Sequence, residues 1–450
     1  MTDKFDLLVI GAGMAGIAAA TKCSSKGWNV AIVDALPYGG TCALRGCDPK
    51  KILRRGAEIV DSARLLTGKG VDGDQLSINW ADLMKHKHGF TDPVPGNMEA
   101  GLRAAGVTTL HGVAAFTDDT HVDVEGTRYE ANTFLIATGA RPRELDFPGH
   151  EHLIDSTDFL NLPSLPPRIA FIGGGFVSFE FAHIAARAGS APVIIDRGRT
   201  PLKEFDPDLV ELLLERGATA GVAVRRNTTI TSVVKIPQGF RLTVQHAGET
   251  ATIDTDLVVH GAGRSPDLSR MNLDAGDIAA GPRGVRVAGH LQSTSNPRVY
   301  AAGDSADTPG MPLTPVAVFE AKVAASNMLK SDTAVPDYAA IPTSVFTIPE
   351  LVRVGMLEQE AREKGLNVDV RFTDTSGWYS NYRIGETAGA TKILVDTSTD
   401  RIIGAHLFGH DYAEVANTIS LAMKNGLTTR QIKSTTAVYP STGSDLASML

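Results

Sequence analysis

Short apolar runs alternate with longer segments of helical period along most of the chain. Near the start, residues 5–10 predict a buried strand, residues 17–25 a helix and residues 29–33 a second strand. The same order returns after residue 168, with strands on both sides of another predicted helix. Strands that alternate with helices in this way are typical of parallel α/β units. The pattern therefore predicts an α/β chain with two such units.

Glycines occupy the turn between strand and helix in the first unit. Gly11, Gly13 and Gly16 permit a tight turn and let the backbone approach a pyrophosphate at the start of the helix. Asp34, at the end of the second strand, is placed to accept a hydrogen bond from a ribose hydroxyl. Strand, glycines, helix, strand and acid in one unit are together a strong signal for a bound dinucleotide.

The second unit repeats this fingerprint. Gly173 and Gly175 follow the strand at residues 168–172, and Ser178 takes the third small position, where it still allows close helix packing. A strand at residues 192–196 completes the unit. Two units imply two dinucleotides.

Charges of both signs end this second unit. Asp196 would bind a free ribose 2′-hydroxyl, whereas Arg197, Arg199 and Lys203 would bind a 2′-phosphate. Three cations can outweigh one carboxylate, so NADPH is expected, with NADH as the alternative. The cations could also be ordinary solvated surface charges.

Two of the three cysteines, Cys42 and Cys47, lie in one segment directly after the first unit. If a helix begins here, the two side chains lie little more than one turn apart, which allows a disulfide. The N–H groups at the helix start, with Arg45, Lys50 and Lys51 nearby, should favour thiolate over thiol. The segment therefore predicts a reversible redox pair. A redox dithiol after the first dinucleotide unit suggests a flavin there, with a nicotinamide on the second unit delivering hydride.

Other interpretations of the cysteines are less favoured. One short-range pair in a 450-residue chain with three cysteines is not a secreted disulfide framework. A zinc site lacks further Cys or His ligands at suitable spacing, so no metal site is predicted. Cys23 follows the apolar pattern of the first helix and is expected to be buried.

Composition excludes several classes of function. The formal net charge of −8 provides no footprint for nucleic acid. No apolar run reaches the roughly 18 residues of a membrane span, and residues 1–6 show no secretory signal pattern. A cytoplasmic protein is expected, with no membrane or nucleic-acid partner.

The rest of the chain continues the mixed pattern. Residues 54–106 are expected to be mostly helical, and residues 121–124 and 129–130 to form a hairpin before a separate buried strand at 134–137. Residues 342–450 alternate strands with helices and are expected to form a last domain.

Several motifs together resemble the pyridine nucleotide-disulfide oxidoreductase family. They are the two fingerprints, GGTCALRGCDPKK at 39–51, ATGARP at 137–142, GAGRSPD at 261–267, YAAGD at 300–304 and PTSVFTIPELVRVG at 342–355. The family includes glutathione reductase, dihydrolipoamide dehydrogenase and mercuric reductase. The resemblance implies two Rossmann-like dinucleotide-binding domains, for FAD and NAD(P), plus an α+β C-terminal dimerisation domain. It also implies a homodimer in which the partner chain completes each active site.

The resemblance assigns the chain to four segments. Residues 1–150 would start the FAD domain, 151–262 would bind NAD(P), 263–335 would complete the FAD domain and 336–450 would form the dimer interface. In this family, Cys47 would be the thiolate beside the flavin and Cys42 the thiol that attacks the substrate.

Further roles follow from the same resemblance. Lys50 and Glu180 match the pair near flavin N5, and Asp304 would hold the ribityl chain. The predicted cofactor-binding residues are Gly11, Gly13, Gly16, Asp34, Gly40, Thr41, Lys50, Ala114, Thr138, Gly139, Asp304, Thr314, Gly173, Gly175, Val177, Glu180, Arg197, Arg199, Lys203 and Gly263.

The chain departs from the family near its C-terminus. Tyr439 stands where the disulfide reductases have an acid–base histidine, and Ser444 where they have its glutamate. A phenol with a reference pKa of about 10 is a poor substitute for an imidazole near about 6.5 in shuttling protons at neutral pH. Asp48, directly after Cys47, is expected to cap the helix start or pair with Arg45 and to have little effect on the sulfur.

Several functions are consistent with this departure. We expect an NAD(P)H-dependent flavoenzyme that reduces a disulfide or another thiolate-reactive small-molecule acceptor. One alternative is an enzyme that acts on a non-disulfide electrophile, like mercuric reductase or ketopropyl-coenzyme M reductase, although residues 447–450 contain no cysteine pair. Another is a flavin-bound redox sensor with little turnover.

Overall fold

The computed structural model describes residues 4–331 and 333–450. The strands are β1 Lys4–Ile10, β2 Val30–Asp34, β3 Thr108–His111, β4 Ala114–Phe116, β5 His121–Val124, β6 Thr127–Ile136, β7 Ala140–Pro142, β8 Arg168–Ile172, β9 Ala191–Ile195, β10 Ala223–Arg225, β11 Thr228–Ile236, β12 Gly239–His246, β13 Glu249–Thr255, β14 Leu257–His260, β15 Arg264–Pro266, β16 Ala280–Gly281, β17 Gly284–Arg286, β18 Val299–Ala301, β19 Ala306–Asp307, β20 Pro342–Val345, β21 Glu350–Gly355, β22 Val368–Asp374, β23 Ala390–Asp396 and β24 Arg401–Gly409.

The α-helices cover most of the remaining regular structure. They are α1 Met14–Ser24, α2 Gly40–Arg45, α3 Cys47–Leu65, α4 Trp80–Thr91, α5 Val94–Ala104, α6 Ser156–Phe159, α7 Phe176–Arg187, α8 Pro207–Thr219, α9 Thr314–Lys330, α10 Glu358–Glu363, α11 Tyr379–Tyr382, α12 Tyr412–Lys424, α13 Thr429–Lys433 and α14 Leu446–Met449. Among the described residues, no helix combines the length and apolar character needed to cross a bilayer.

The chain forms two compact units, each built from three segments. The first contains the described residues within 4–51, 85–143, 263–331 and 333–338. The second contains residues 52–84, 144–262 and 339–450.

A seven-stranded sheet forms the centre of the first unit. Its strand order is β3-β2-β1-β6-β5-β4, and β18 also pairs with β6. β1 lies between β2 and β6 and pairs with both in parallel. Its residues from Leu7 to Ile10 are buried, which explains why this strand reads as a continuous apolar run. The predicted strand, helix and strand at the start of the chain are confirmed.

One prediction about this sheet is wrong. The segments 129–130 and 134–137 were expected to be separate strands, but a single strand, β6, runs from Thr127 to Ile136. Its first half pairs antiparallel with β5, and its second half pairs in parallel with β18. The side-chain pattern changes midway because the two halves have different neighbours.

The second unit contains the repeated α/β element and a C-terminal sheet. Strands β10, β9, β8 and β14 form a parallel sheet in that order. Strands β11, β12 and β13, which lie between β10 and β14 in the sequence, form a separate antiparallel sheet. The last sheet has the antiparallel order β20-β21-β24-β23-β22. The expected class is confirmed, with two α/β dinucleotide-binding elements and a mixed C-terminal domain.

Buried charges connect distant segments of this second unit. The guanidinium of Arg187, on α7, is 2.8 Å from Asp61 Oδ1 on α3. Arg216, on α8, lies 2.8 Å from Asp61 Oδ2 and 3.0 Å from Glu386 Oε1. These side chains are almost completely buried. Removing one partner would therefore leave a buried charge that neither water nor an opposite charge fully stabilises.

We expect Arg187→Met to lower the free energy of unfolding by about 3 kcal/mol, because Asp61 then loses one of its two buried cations. Arg241→Met is the matched control, since it breaks the exposed pair with Asp254, and it should cost about 1 kcal/mol or less. Urea unfolding at neutral pH measures both. Equal losses in the two variants would contradict the role given to the buried network.

Candidate active site

The first glycine turn leaves no room for side chains. Gly11 has a φ of +108°, and a Cβ there would lie 2.3 Å from the carbonyl oxygen of Ala137. A Cβ at Gly16 would lie 1.9 Å from the carbonyl oxygen of Gly11. The turn between β1 and α1 is therefore packed backbone against backbone, as a dinucleotide-binding turn requires.

The peptide groups of Ala12 join this turn to the segment that carries the cysteines. The Ala12 N–H donates to Asp34 Oδ2 at 2.7 Å, and the Ala12 carbonyl accepts from the Gly39 N–H at 3.0 Å. Next to this contact, a Cβ at Gly40, where φ is +63°, would lie 2.6 Å from the Cα of Gly13. Asp34 thus orients the turn through the backbone, while its predicted contact with a ribose stays a prediction.

The cysteine segment begins two helices. Cys42 lies in α2, Cys47 is the first residue of α3, and Gly46 separates the helices with a φ of −152° and a ψ of −110°. Both cysteines are free thiols, and a hydrogen bond joins their side chains. Cys47 is exposed and Cys42 is half-buried. The two sulfurs are adjacent, as the spacing predicts.

The expectation that the local charges favour thiolate is wrong for Cys42. The hydrogen bond with Cys47 and then burial raise the pKa of Cys42 well above its ordinary value. A hydrogen bond with Thr314, at the start of α9, acts in the opposite direction, and the carboxylate of Asp48 adds a small further increase. The influence of Asp48 on the pKa of Cys42 is the smallest of these contributions, and its expected small effect on the neighbouring Cys47 stays a prediction.

The first turn of α3 places two charged residues beside this pair. Lys50 lies one turn after Cys47 and is buried. Burial raises the pKa of Asp48, and the charge of Lys51 opposes that increase. Asp48 thus interacts with Lys51, which is one turn further along the helix.

Other residues of the first unit supply a cradle that fits FAD. The hydroxyl oxygen of Thr138 is buried and has no hydrogen-bond partner among the described residues. Gly139 follows it with a φ of +70°. Asp304 lies in the turn after β18, where burial raises its pKa and Arg264 opposes the increase. An unpartnered hydroxyl, a glycine-lined turn and a partly buried carboxyl group suit a dinucleotide with many hydroxyl groups.

Three further predicted residues take ordinary places in this first unit. Ala114 is buried at the start of β4. Thr41 is exposed within α2, and Gly263 has a φ of +104° and accepts a hydrogen bond from the Arg143 N–H.

The second glycine turn repeats the geometry of the first. Gly173 has a φ of +101°, and a Cβ there would lie 2.6 Å from the carbonyl oxygen of Gly261. Gly175 is the residue before α7, Val177 lies in its first turn, and Ser178 is buried. Ser178 takes the third small position in the described structure, as its sequence spacing predicts.

The segment after β9 carries one carboxylate and three cations, which would favour different nicotinamide nucleotides. Asp196 faces the glycine turn, since a Cβ at Gly174 would lie 2.5 Å from its Oδ2. Arg197, Arg199 and Lys203 are exposed and make no ion pair within residues 4–331 and 333–450. Their charges are therefore available to an anionic ligand.

Comparison with known proteins decides the family. Residues 5–321 match the description "Pyridine nucleotide-disulphide oxidoreductase", and residues 341–449 match the dimerisation domain of the same family. The chain belongs to the pyridine nucleotide-disulphide oxidoreductase family. It is thus an oxidoreductase of the flavoprotein disulfide reductase type, in a family that depends on FAD and NAD(P)H.

Individual members show the extent of the similarity. The chain is 32% identical to a glutathione reductase of Burkholderia cepacia, over 99% of this chain and 98% of the relative. It is 30% identical to a mercuric reductase of Staphylococcus aureus, over 97% of this chain and 80% of the relative. Its fold is similar to that of the HOCl-induced flavoprotein disulfide reductase RclA from Escherichia coli, solved as a Cu(II) complex, with a TM-score of 0.89, 24% identity and coverage of 100% and 99% of the two chains.

Glu180 has a defined environment in the second unit. It lies on α7 and is 2% exposed. Its Oε1 accepts a hydrogen bond from the backbone N–H of Phe346 at 3.1 Å. Phe346 belongs to one of the family motifs, but a backbone donor leaves no side-chain signal, so sequence reasoning did not find this contact.

The C-terminal substitution leaves an exposed phenol. Tyr439 is 78% exposed. Ser444, which the sequence comparison above expects at the position of the family's glutamate, donates its hydroxyl to the Ser441 carbonyl oxygen at 2.6 Å within the same turn. The described chain therefore retains no carboxylate at this position that could orient Tyr439.

The structure predicts how the two thiols influence each other. In reduced protein, Cys47→Ala should lower the pKa of Cys42, because it removes the hydrogen bond that raises that pKa most. Iodoacetamide should then alkylate Cys42 at pH 8 about tenfold faster or more, because a lower pKa leaves more of the sulfur as the reactive thiolate at that pH. Peptide mass spectrometry separates Cys42 from the other thiols.

Cys23 is the internal control for this experiment. Burial raises its pKa to about 12, so it should stay unmodified in both proteins. An unchanged alkylation rate at Cys42 would show that Cys47 does not control its protonation.

Proposed function

We propose that the chain is an NADPH-dependent FAD enzyme that passes two electrons through the Cys42–Cys47 disulfide to a disulfide or other thiolate-reactive acceptor. One observation carries the proposal. Cys42 lies on α2, which begins at Gly40 in contact with the first glycine turn at Gly13, and the side chain of Cys42 is hydrogen-bonded to that of Cys47 at the start of α3. This arrangement would place a redox-active cysteine pair close to a bound dinucleotide, where two electrons can be exchanged between them.

The residues divide the binding of FAD among them. Gly11, Gly13 and Gly16 would face the pyrophosphate, Thr138 would use its unpartnered hydroxyl, and Asp304 would hold the ribityl chain. FAD supplies the two-electron exchange between a nicotinamide and a disulfide. Lys50 and Glu180 keep the roles implied by the family, as charged groups that tune the flavin site.

The cysteine pair carries out the exchange with the acceptor. When both cysteines are reduced, the Cys42 sulfur attacks one sulfur of an acceptor disulfide, which forms a mixed disulfide and releases the other half as a thiolate. The Cys47 sulfur then attacks Cys42, releases the second half and restores the Cys42–Cys47 disulfide. Two electrons leave the protein, and two protons are needed to convert both released thiolates to thiols.

Proton transfer at Cys42 is the step of this sequence for which the chain has the poorest acid–base group. The pKa of Cys42 is raised, so a base must remove its proton before the sulfur attacks at neutral pH. We propose that Tyr439 of a second copy occupies the place of the family's histidine in a homodimer. Its exposure in the single chain supports this role, and its phenol would make exchange slower than an imidazole would.

We further propose that the protein is cytoplasmic.

Serine substitutions test the function directly. Cys42→Ser and Cys47→Ser should each lower NADPH-dependent reduction of 5,5′-dithiobis(2-nitrobenzoate) by about a thousandfold or more, since each removes an essential sulfur. Cys23→Ser is the control and should retain turnover, because Cys23 is buried away from the pair. Full activity in either serine variant would contradict the proposal.

The acceptor panel also separates the alternatives. Turnover with Hg(II) but not with disulfides would favour a non-disulfide electrophile. A single reductive half-reaction without turnover on any acceptor would favour a redox sensor.

The choice of nucleotide is tested at the three exposed cations. Arg197→Ala combined with Arg199→Ala should raise the KM for NADPH by about tenfold to a hundredfold, because each guanidinium would lose a hydrogen bond to the 2′-phosphate. The KM for NADH should change by less than about twofold, because NADH lacks that phosphate. Steady-state kinetics with both nucleotides measures this, and equal changes would contradict the assignment of NADPH.

A further inference from the structure

A buried carboxyl group on α9 contacts the turn at Gly303–Ser305, which contains Asp304. Glu320, on α9, is 1% exposed. Its Oε2 accepts a hydrogen bond from the Gly303 N–H at 2.7 Å. Its Oε1 accepts from the hydroxyls of Thr308 and Tyr338, each at 2.7 Å. Three donors from separate parts of the chain thus converge on one side chain that the catalytic scheme does not use.

The surrounding packing holds this arrangement closely. Gly303 has a φ of +70°, and a Cβ there would lie 2.9 Å from the Cβ of Ala317 on α9. A Cβ at Gly310 would lie 2.8 Å from Glu320 Oε1. The turn and the loop after it therefore approach α9 as bare backbone.

The three donors bind different oxygens and have different consequences. Only the Gly303 N–H, bound to Oε2, belongs to the turn that contains Asp304. The Tyr338 hydroxyl binds Oε1, and both burial and Glu320 raise the pKa of Tyr338, so its phenol stays protonated and donates. Loss of the donors to Oε1 should loosen the loop without moving the Asp304 turn.

α9 connects this turn with the redox pair. Its first residue, Thr314, hydrogen-bonds the Cys42 thiol, and Glu320 lies six residues later on the same helix. α9 therefore contacts the Cys42 sulfur at its first residue and, less than two helical turns further along, the loop at Gly303–Ser305 that contains Asp304.

We propose that Glu320 is a positioning residue that fixes the backbone of Gly303, so that Asp304 is oriented for FAD before the cofactor binds. This inference rests on the proposed function, because it needs Asp304 to hold FAD. It assigns a role to the Glu320 carboxyl group, whose hydrogen bonds are with Gly303, Thr308 and Tyr338 of the protein.

The test measures FAD binding in addition to activity. Apoprotein is titrated with FAD, and quenching of flavin fluorescence gives the dissociation constant for wild type and variants. Glu320→Met keeps the length of the side chain but removes the acceptor for Gly303. It should weaken FAD binding by about tenfold to a hundredfold, the loss expected when a hydrogen bond to a charged group is misplaced.

Two further variants separate positioning from general stability. Glu320→Gln keeps an oxygen for the Gly303 N–H, while the Thr308 and Tyr338 hydroxyls can turn to accept from its amide. It should bind FAD within about threefold of wild type. The double variant Thr308→Val with Tyr338→Phe should lower the melting temperature but also bind FAD within about threefold, because Gly303 keeps its acceptor.

Each result decides a separate point. The inference is overturned if Glu320→Met binds FAD like wild type, or if the loss of affinity simply follows the melting temperature across all variants. If the wild-type apoprotein itself does not bind FAD, the proposed function fails, and this inference fails with it.

Hydrogen exchange supplies a measurement that needs no variant. In wild-type apoprotein, the Gly303 amide should exchange much more slowly than an exposed amide, because Glu320 accepts its hydrogen bond before FAD binds. Protection that develops only after FAD is added would show that the cofactor orders the turn, which would overturn the inference.

Discussion

The structure of the redox site depends on the contact between two backbone segments at Gly13 and Gly40. No side chain fits between them, since a Cβ at Gly40 would lie 2.6 Å from the Gly13 Cα. The Ala12 N–H and carbonyl fix the same place by bonding to Asp34 and Gly39. The first glycine turn and the start of α2 are therefore held together by direct backbone contacts. Electron exchange between a bound dinucleotide and a cysteine pair needs such fixed proximity.

The chemistry of the pair differs from that of the disulfide reductases with an acid–base histidine. The hydrogen bond between the thiols and the burial of Cys42 keep a proton on that sulfur. Tyr439 offers a phenol, which is a poorer acid–base group at neutral pH than an imidazole, and Ser444 is hydrogen-bonded within its own turn. An acceptor that is a strong electrophile, or that releases a stable thiolate, requires less help from an acid. We therefore propose reactive electrophiles, rather than glutathione disulfide or lipoamide, as the acceptors.

The sequence could predict the parts that depend on periodicity and glycine. Both fingerprints and the adjacent cysteines were confirmed because steric limits at turns leave a direct mark in the residue types. The division of β6 into two strands was wrong because pairing partners, not side chains alone, define a strand. The protonation of Cys42 was misjudged because helix-start charges were considered without the burial of the sulfur. Glu320 was missed because an isolated acid on a helix is usually solvated, and only tertiary contacts reveal its three donors.

The most direct test is an anaerobic titration of the FAD-loaded protein with NADPH and, separately, with NADH, followed by visible absorption. The account predicts that stoichiometric NADPH produces a long-wavelength band from the Cys47 thiolate next to the oxidised flavin, and that NADH is less effective. Such a band requires the cysteine pair to have received the electrons. Bleaching of the flavin without that band would mean that Cys42 and Cys47 are not coupled to the cofactor, which would contradict the central claim.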